Sequence, residues 1–456
     1  MQNFFKKKIH NLTSDKKFNE ILTGSAWALA AKVLATALSL AISVIVARFY
    51  GAKTTGILAV IQSFLMLATI FTVLGSNTSI LRLIPEHMGK YSVTSAFRVY
   101  RKTQYLVAGV SLVTSALLFF SSGFIADKIF SKPHLTYFLS LAAGFVLFKS
   151  LMDLNTQAVR GLRLIRVFAF MQILPSTFTL LILAGSTIFS RAKENPVHAY
   201  LAALAATAMV GVLVMDKAFK VRIRANDLVH DMATKTILFI SLPMLMTASM
   251  QFLIGQTGII MLAVFRTDAE VGYYAIAVKL ATLTTFVLAS INSMAGPKFS
   301  ELFHTGKMNE LFYVAKRSAK LIFWTTAPML LGLLLLGRPL LGYFFGQDFT
   351  VAYPAMVLLI LGQFVNSASG STAMFMNMTG RQNIFRNITF GAAFLNISSN
   401  LLLIPHLGII GAAISAMISV SFWNIITLVY MKKKFGQTTG YLPGAWLRFI
   451  TPGKDK

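Results

Sequence analysis

The chain repeats the stretch ARFYGAKTTGILAV (residues 47 to 60) as AVFRTDAEVGYYAI (residues 263 to 276), at a constant separation of 216 residues. Four residues carry the match: Ala47, Phe49, Gly56 and Ala59 recur as Ala263, Phe265, Gly272 and Ala275. Two further matches follow in the same order. They pair Glu86, Phe97, Val99, Arg101 and Lys102 with Glu301, Phe312, Val314, Lys316 and Arg317, and Gly161 and Ile165 with Gly380 and Ile384. Three ordered matches predict two similar halves.

The composition predicts an all-α integral membrane protein. Hydrophobic residues make up 56% of the 456 positions and charged residues only 12%, whereas soluble domains carry about 25% charged residues. Because a membrane-crossing helix needs about 20 apolar residues, the sequence predicts twelve transmembrane helices. Their approximate spans are 25 to 47, 56 to 81, 103 to 125, 135 to 158, 167 to 189, 197 to 215, 236 to 265, 270 to 296, 319 to 342, 351 to 378, 386 to 404 and 408 to 431.

Six spans per half return the chain to its starting side, so the halves have the same orientation. Such repeats form two pseudo-symmetric bundles related by an axis along the membrane normal, with substrate between them. The alternative is a duplicated scaffold without transport. The predicted domains are a basic N-terminal segment (1 to 24), a six-helix bundle (25 to 220), a linker (221 to 235), a second six-helix bundle (236 to 431) and a basic tail (432 to 456).

The 42 lysines and arginines give a net charge of +27, but their positions argue against nucleic-acid binding. They alternate by loop, with 31 on or near one side, 8 on or near the other and 3 in the middle of spans. The positive-inside rule then predicts that both termini are cytoplasmic. The first span is too long for a cleavable signal peptide. The chain contains no cysteine, so disulfides, thiolate metal sites and cysteine nucleophiles are excluded.

Three lysines, Lys32, Lys149 and Lys279, lie in the middle of apolar spans. An ionised lysine at a helix centre costs ~2.5 to 3.5 kcal/mol in lipid, so these side chains should face protein or water. They indicate an anionic cargo. The alternatives are that Lys32 extends to an interface and that Lys279 pairs with polar groups of another helix.

Asp153 is the only acidic residue in the middle of the apolar spans, and it lies four residues after Lys149. The two side chains can form a structural ion pair on one helix face. As the only intramembrane acid, Asp153 is also the candidate for proton or sodium coupling. Both interpretations stay open at this point.

Four polar residues in the seventh and tenth spans could contact sugar hydroxyls: Gln251, Gln256, Gln363 and Asn366. Such residues also hold transmembrane helices together, which is the more common role for any one of them. No Walker or HExxH motif and no large extramembrane domain is present. We therefore expect neither an enzyme, nor a metal site, nor an organic cofactor.

Four segments resemble the polysaccharide transporter family: ARFYGAKTTGILAV, SILRLIPEHMGK, QAVRGLRLIRVFA and VFRTDAEVGYYAIAVKLA. This family contains the Wzx-type oligosaccharide flippases and belongs to the superfamily of the MATE and MurJ proteins. The resemblance covers almost the entire chain. It implies two MATE-like six-helix bundles around a central cavity, alternating access, and transfer of undecaprenyl-pyrophosphate-linked oligosaccharide to the outer leaflet of the bacterial cytoplasmic membrane.

The implied partners are the lipid-linked oligosaccharide, membrane lipids and polysaccharide polymerase machinery. Two rivals share this fold: a MATE-like ion-coupled multidrug antiporter, which would be expected to use carboxylates for cationic drugs, and a MurJ-like lipid II flippase, which would have two more helices. The segment YLPGAWLRFI (441 to 450) is too short for a thirteenth span. A membrane polymerase or glycosyltransferase would show clustered acids or a large catalytic loop, and the sequence has neither.

Overall fold

A computed structural model describes residues 16–190, 192–223 and 230–441. Every regular element in these ranges is helical. The α-helices there are α1 (Lys16–Val73), α2 (Ser76–Lys90), α3 (Val93–Phe124), α4 (Leu135–Gly144), α5 (Val146–Gly161), α6 (Ile165–Phe189), α7 (Asn195–Lys220), α8 (Thr234–Phe265), α9 (Asp268–Ala281), α10 (Thr285–His304), α11 (Met308–Leu340), α12 (Tyr353–Ser369), α13 (Thr372–Met378), α14 (Gln382–Leu407) and α15 (Ile409–Phe435). The predicted N-terminal segment, linker and tail each fall partly outside the described residues.

Ten helical runs in the described ranges are long and apolar enough to cross a membrane, and the bent pair α4 and α5 makes eleven. The first run, Leu29–Val73, has 45 residues. At 1.5 Å per residue it measures about 68 Å, roughly twice the hydrocarbon core of a bilayer. It is broken at Gly51, where φ is 81° and ψ is 178°. If the parts before and after Gly51 are counted as two spans, the total rises from eleven to the expected twelve. The number twelve stays a prediction.

The second predicted span, residues 56 to 81, is too long. α1 ends at Val73, and Gly75, with a φ of 75°, separates it from α2. An added Cβ at Gly75 would lie 2.4 Å from the carbonyl oxygen of Ser241. Glycine is therefore required both for the left-handed backbone and for the close approach of a neighbouring helix.

Three other predicted spans are interrupted instead of continuous. α4 and α5 meet at Phe145 with a bend of 47°, and a 3-10 turn at Thr282–Thr284 separates α9 from α10. Gly370, with a φ of 71°, separates α12 from α13. At such breaks backbone carbonyls lose their helical partners, so each break needs other donors at membrane depth.

The chain divides into two compact units. Unit 1 comprises Met1–Ser43 and Phe64–Ala248, and unit 2 comprises Val44–Ser63 and Ser249–Lys456. The core of unit 1 includes the stacked rings of Tyr100 and Phe219. In unit 2 the residues around Phe375 form an aromatic core. This grouping assigns residues 44 to 63 to the second unit, although they belong to the first half of the sequence. The boundaries of the two six-helix bundles, residues 25 to 220 and 236 to 431, stay a prediction.

The equivalent glycines of the two halves meet inside unit 2. An added Cβ at Gly56 would lie 1.8 Å from the carbonyl oxygen of Asp268 and 3.0 Å from the nitrogen of Gly272. An added Cβ at Gly272 would lie 2.2 Å from the carbonyl oxygen of Ala52 and 3.0 Å from the nitrogen of Gly56. The contact is reciprocal, because Ala52 and Asp268 are also 216 residues apart. Equivalent positions of the sequence repeat thus contact each other through their backbones, and the contact has a local two-fold symmetry.

Arginines near both repeated glycines satisfy helix-end carbonyls in unit 2. Arg48 donates through Nε to the carbonyl oxygen of Phe344, at 3.1 Å, and also to that of Tyr343. Arg266 donates to the carbonyl oxygens of Ile404 (3.2 Å) and Pro405 (2.8 Å) at the end of α14. Each guanidinium therefore supplies the donors that a helix C-terminus lacks.

The described end of the linker packs on α2 and α3 in unit 1. The rings of Tyr91 and His230 are stacked at 4.1 Å, and the backbone N–H of His230 donates to Ser95 Oγ at 2.8 Å. Lys102 Nζ donates to Asp231 Oδ2 at 2.7 Å, and this hydrogen bond lowers the pKa of the Asp231 carboxyl. The linker is thereby attached to the first unit.

Candidate functional site

Lys32 lies on α1 in unit 1, with an exposed side chain. The hydroxyl of Thr36 donates to its backbone carbonyl at 2.8 Å, a bond that leaves the ammonium uninvolved. Exposure means that protein does not enclose this lysine. A charged ammonium in lipid is costly, so we expect the Lys32 side chain to face water. This orientation stays a prediction.

Lys149 and Asp153 form the ion pair that their spacing on α5 allows. Lys149 Nζ lies 2.5 Å from Asp153 Oδ2, and the side chains are 16% and 28% exposed. The pair has no net charge. The ammonium of Lys149 is therefore engaged by a carboxylate in this conformation.

A cavity of about 200 Å³ lies beside this pair within unit 1, and we call it the unit 1 pocket. Helices α2, α5 and α6 supply its lining residues, which are Asn77, Met152, Asp153, Thr156, Gln157, Met171, Gln172 and Pro175. Asp153, Thr156 and Gln157 share one face of α5, because residues three and four apart on a helix are neighbours. Most of the lining side chains are polar.

The sequence prediction included Asp153 but missed the three amides of the unit 1 pocket, Asn77, Gln157 and Gln172. A signal for Gln157 existed, because it follows Lys149 and Asp153 on the same helical face. Gln172 is an isolated polar residue in the apolar stretch of α6. Only the fold brings Asn77 to the same place.

Lys279 lies in unit 2 near the end of α9, just before the 3-10 turn at Thr282–Thr284. Its side chain is half-buried. Thr282 Oγ1 donates to the carbonyl oxygens of Val278 (2.7 Å) and Lys279 (3.3 Å), so the threonine hydroxyl satisfies the interrupted helix end. The lysine is thus placed at a break in a membrane-length helical segment.

The glutamines of α8 differ in environment. Gln251 is exposed, whereas Gln256 accepts a hydrogen bond from Ser63 Oγ at 2.8 Å within unit 2. Gln251 therefore keeps an available amide in this conformation, and Gln256 holds α8 to α1. Their predicted sugar contacts stay a prediction.

The polar residues of α12 belong to a chain of hydrogen bonds in unit 2. Asn366 Nδ2 donates to Gln363 Oε1 at 3.1 Å, and Asn424 Nδ2 donates to Asn366 Oδ1 at 3.3 Å. Thr372 Oγ1 donates to Asn424 Oδ1 at 3.2 Å. Because Asn424 is fully buried and Asn366 is 9% exposed, the chain holds α12, α13 and α15 together. This geometry matches the helix-joining alternative given for such residues.

No group of three or more histidine, aspartate or glutamate side chains in the described ranges is arranged to hold a metal ion. The candidate residues described above are ammonium groups, the Asp153 carboxylate and uncharged amides. The membrane-length helical segments make the chain a polytopic membrane protein.

The chain belongs to the family described as polysaccharide biosynthesis proteins, whose model matches residues 21–303. It is similar to two proteins of Haloferax volcanii. One is the probable flippase AglR (25% identical, over 42% of this chain and 41% of that protein). The other is the probable low-salt glycan biosynthesis flippase Agl15 (21% identical, over 37% and 36%).

Solved structures with the same fold include the lipid II flippase MurJ in an inward closed conformation, with a TM-score of 0.71 and 14% identity over 88% of this chain and 87% of that one. A MATE multidrug transporter in an inward-facing conformation has a TM-score of 0.66 and 13% identity over 88% and 98%. At such identities the likeness concerns the fold. The predicted all-α, MATE-like fold is confirmed, and so is the resemblance to a polysaccharide biosynthesis family.

Proposed function

We propose that the protein is a flippase that moves undecaprenyl-pyrophosphate-linked oligosaccharide from the inner to the outer leaflet by alternating access, for surface polysaccharide synthesis. The observation that carries this proposal is the excess of lysine over acid within the spans of a chain that belongs to a polysaccharide biosynthesis family. The site of action is the bacterial cytoplasmic membrane, with both termini on the cytoplasmic side. Polymerase machinery is the expected downstream partner.

The pyrophosphate group explains why lysines would be kept at membrane depth. It carries more than one negative charge, and an ammonium 4 Å from one of these charges contributes about 4 kcal/mol at an effective dielectric constant of 20. Lys149 is neutralised by Asp153 in this conformation. Three ammonium groups stand against one carboxylate at membrane depth, and Lys32, Lys149 and Lys279 are the proposed pyrophosphate ligands.

Asp153 is the proposed coupling residue. Protonation would remove its negative charge and release Lys149 for the pyrophosphate, whereas deprotonation would restore the ion pair. A sodium ion fits less well, because the ammonium of Lys149 already lies 2.5 Å from the carboxylate. We therefore favour a proton over sodium.

The test is made in cells that lack the gene and are complemented with variants. Deletion should cause lipid-linked oligosaccharide to accumulate on the cytoplasmic leaflet. The triple variant Lys32→Ala, Lys149→Ala and Lys279→Ala should not restore surface glycan, whereas Lys53→Gln, which changes an exposed lysine two residues after Gly51, should restore it. Normal surface glycan in the triple variant, at an abundance equal to that of the wild type, would contradict the proposal.

A MATE-like multidrug antiporter is the alternative that the fold also permits. Asp153 is the observation that favours it, because a carboxylate is what a cationic drug would need. The two functions give different phenotypes. A deletion that changes drug sensitivity and leaves the glycan intact would select the antiporter.

A further inference from the structure

The unit 1 pocket contains hydrogen-bonding groups that the protein itself leaves unused. Within residues 16–190, 192–223 and 230–441, the side chains of Gln157 and Gln172 have no hydrogen-bond partner, although both line the pocket. Asn77 makes only a long contact, in which its Oδ1 accepts from Thr78 Oγ1 at 3.5 Å. Three amides, each with donors and an acceptor, thus face one cavity without being satisfied by the fold.

Two other lining residues contain acceptors without a complete set of donors. Pro175 has no N–H, so the carbonyl of Met171, one turn earlier on α6, lacks its usual helical donor. The Thr156 hydroxyl donates to the Met152 carbonyl at 2.7 Å, which leaves its oxygen lone pairs available. The unit 1 pocket therefore mixes donors and acceptors, the combination that hydroxyl groups complement, since each hydroxyl both donates and accepts.

The charge of the pocket restricts its ligand. Asp153 is the only charged residue in the lining, and Lys149 Nζ lies 2.5 Å from its carboxylate. The local net charge is zero, so neither a free metal cation nor a phosphate finds an opposite charge there. An uncharged polar ligand meets no such penalty.

The size of the pocket restricts the ligand further. Its 200 Å³ is smaller than the ~300 to 1,000 Å³ of sites that enclose drug-sized molecules. This space suits a single pyranose ring and excludes a whole oligosaccharide.

We propose that the unit 1 pocket binds one sugar residue of the lipid-linked oligosaccharide, with Asn77, Gln157 and Gln172 as its hydroxyl-recognising groups. This inference rests on the proposed function and adds a specificity site to it. The lysines bind the pyrophosphate, whereas the amides select the sugar. The pocket then determines which glycan is accepted, and the net positive charge determines that a phosphorylated lipid is accepted.

The test uses the purified full-length protein in lipid nanodiscs and saturation-transfer difference NMR. The probes are the methyl glycosides of glucose, mannose and N-acetylglucosamine, each added alone. At least one should bind the wild type. Gln157→Met and Gln172→Met should each weaken its Kd by about tenfold, because one hydrogen bond is lost in each case. The control is Gln347→Met, which changes an exposed glutamine far along the chain.

A second probe separates this inference from the proposed function. Undecaprenyl pyrophosphate without a sugar should bind the wild type and both pocket variants equally. Absence of binding to the wild type would contradict the flippase proposal and leave the sugar pocket standing. The sugar pocket is overturned if no glycoside binds, if Gln157→Met and Gln172→Met bind glycosides as the wild type does, or if ²³Na NMR shows a sodium site that the same variants abolish.

Discussion

Gly56→Ala should destabilise the protein far more than an alanine normally does in a helix. The added Cβ would lie 1.8 Å from the carbonyl oxygen of Asp268, and real Cβ atoms essentially never come closer than 3.0 Å. The two backbones must therefore separate by about 1.2 Å. Inserting a methyl group into a tight contact costs about 1 to 3 kcal/mol, and here the obstacle is backbone, which cannot rotate away. We expect a loss of about 3 kcal/mol.

The assay is the midpoint of thermal unfolding in detergent, together with abundance in the membrane. Gly332→Ala is the matched control, because its Cβ would meet no atom within 4 Å and alanine favours a helix by about 1 kcal/mol over glycine. Gly272→Ala should resemble Gly56→Ala. The double variant should be less destabilised than the sum of the two, since one separation relieves both clashes. A Gly56→Ala protein as stable as Gly332→Ala, or full additivity in the double variant, would refute the reciprocal contact.

Three further outcomes are expected. Asn424→Ala should lower stability by about 1 to 3 kcal/mol, measured as the same thermal midpoint, because it leaves Oδ1 of the buried Asn366 side chain without its donor; an unchanged midpoint would contradict a joining role. Arg266→Lys should lower the midpoint although the charge is retained, because an ammonium lacks the planar guanidinium geometry that donates to the Ile404 and Pro405 carbonyls together. A stability equal to that of the wild type would argue against Arg266 as the cap of α14. Lys279→Met should reduce complementation of surface glycan while abundance stays normal, and a transporter as active as the wild type would remove Lys279 from the pyrophosphate site.

The fold could be predicted from the sequence where the signal extended over many residues. Apolar length gave the membrane helices, and the 216-residue repeat identified Gly56 and Gly272 as equivalent before their contact was known. The breaks were different. Thr282–Thr284 and Phe145 interrupt segments whose composition stays apolar, and hydropathy contains no information about helix continuity.

The site was predictable only as far as a single helix face extends. The spacing of Lys149 and Asp153 was sufficient for their ion pair, because both lie on α5. The unit 1 pocket required three helices to converge, and Asn77 lies 76 residues before Asp153 in the sequence. No local pattern relates such residues. The partner of Gln256, Ser63, is equally remote, which is why a candidate sugar contact is also a helix-to-helix bond.

The two interpretations of the Lys149 and Asp153 pair can be separated by a charge-neutral double variant. Lys149→Met alone leaves a carboxylate without its partner, which should cost about 2 kcal/mol of stability after allowance for the partial exposure of both side chains. Lys149→Met with Asp153→Asn removes both charges and should restore the thermal midpoint. If the pair is only structural, the double variant should also restore surface glycan.

If Asp153 carries the coupling proton or Lys149 binds the pyrophosphate, the same double variant should be stable yet inactive, and Asp153→Asn alone, which keeps Lys149, then separates these two roles. The comparison does not depend on knowing the glycan, since stability and complementation are measured on the same proteins. A double variant that is both stable and active would end the case for coupling at Asp153. In that event Lys149 would have served to neutralise its neighbour, and the pyrophosphate site would reduce to Lys32 and Lys279.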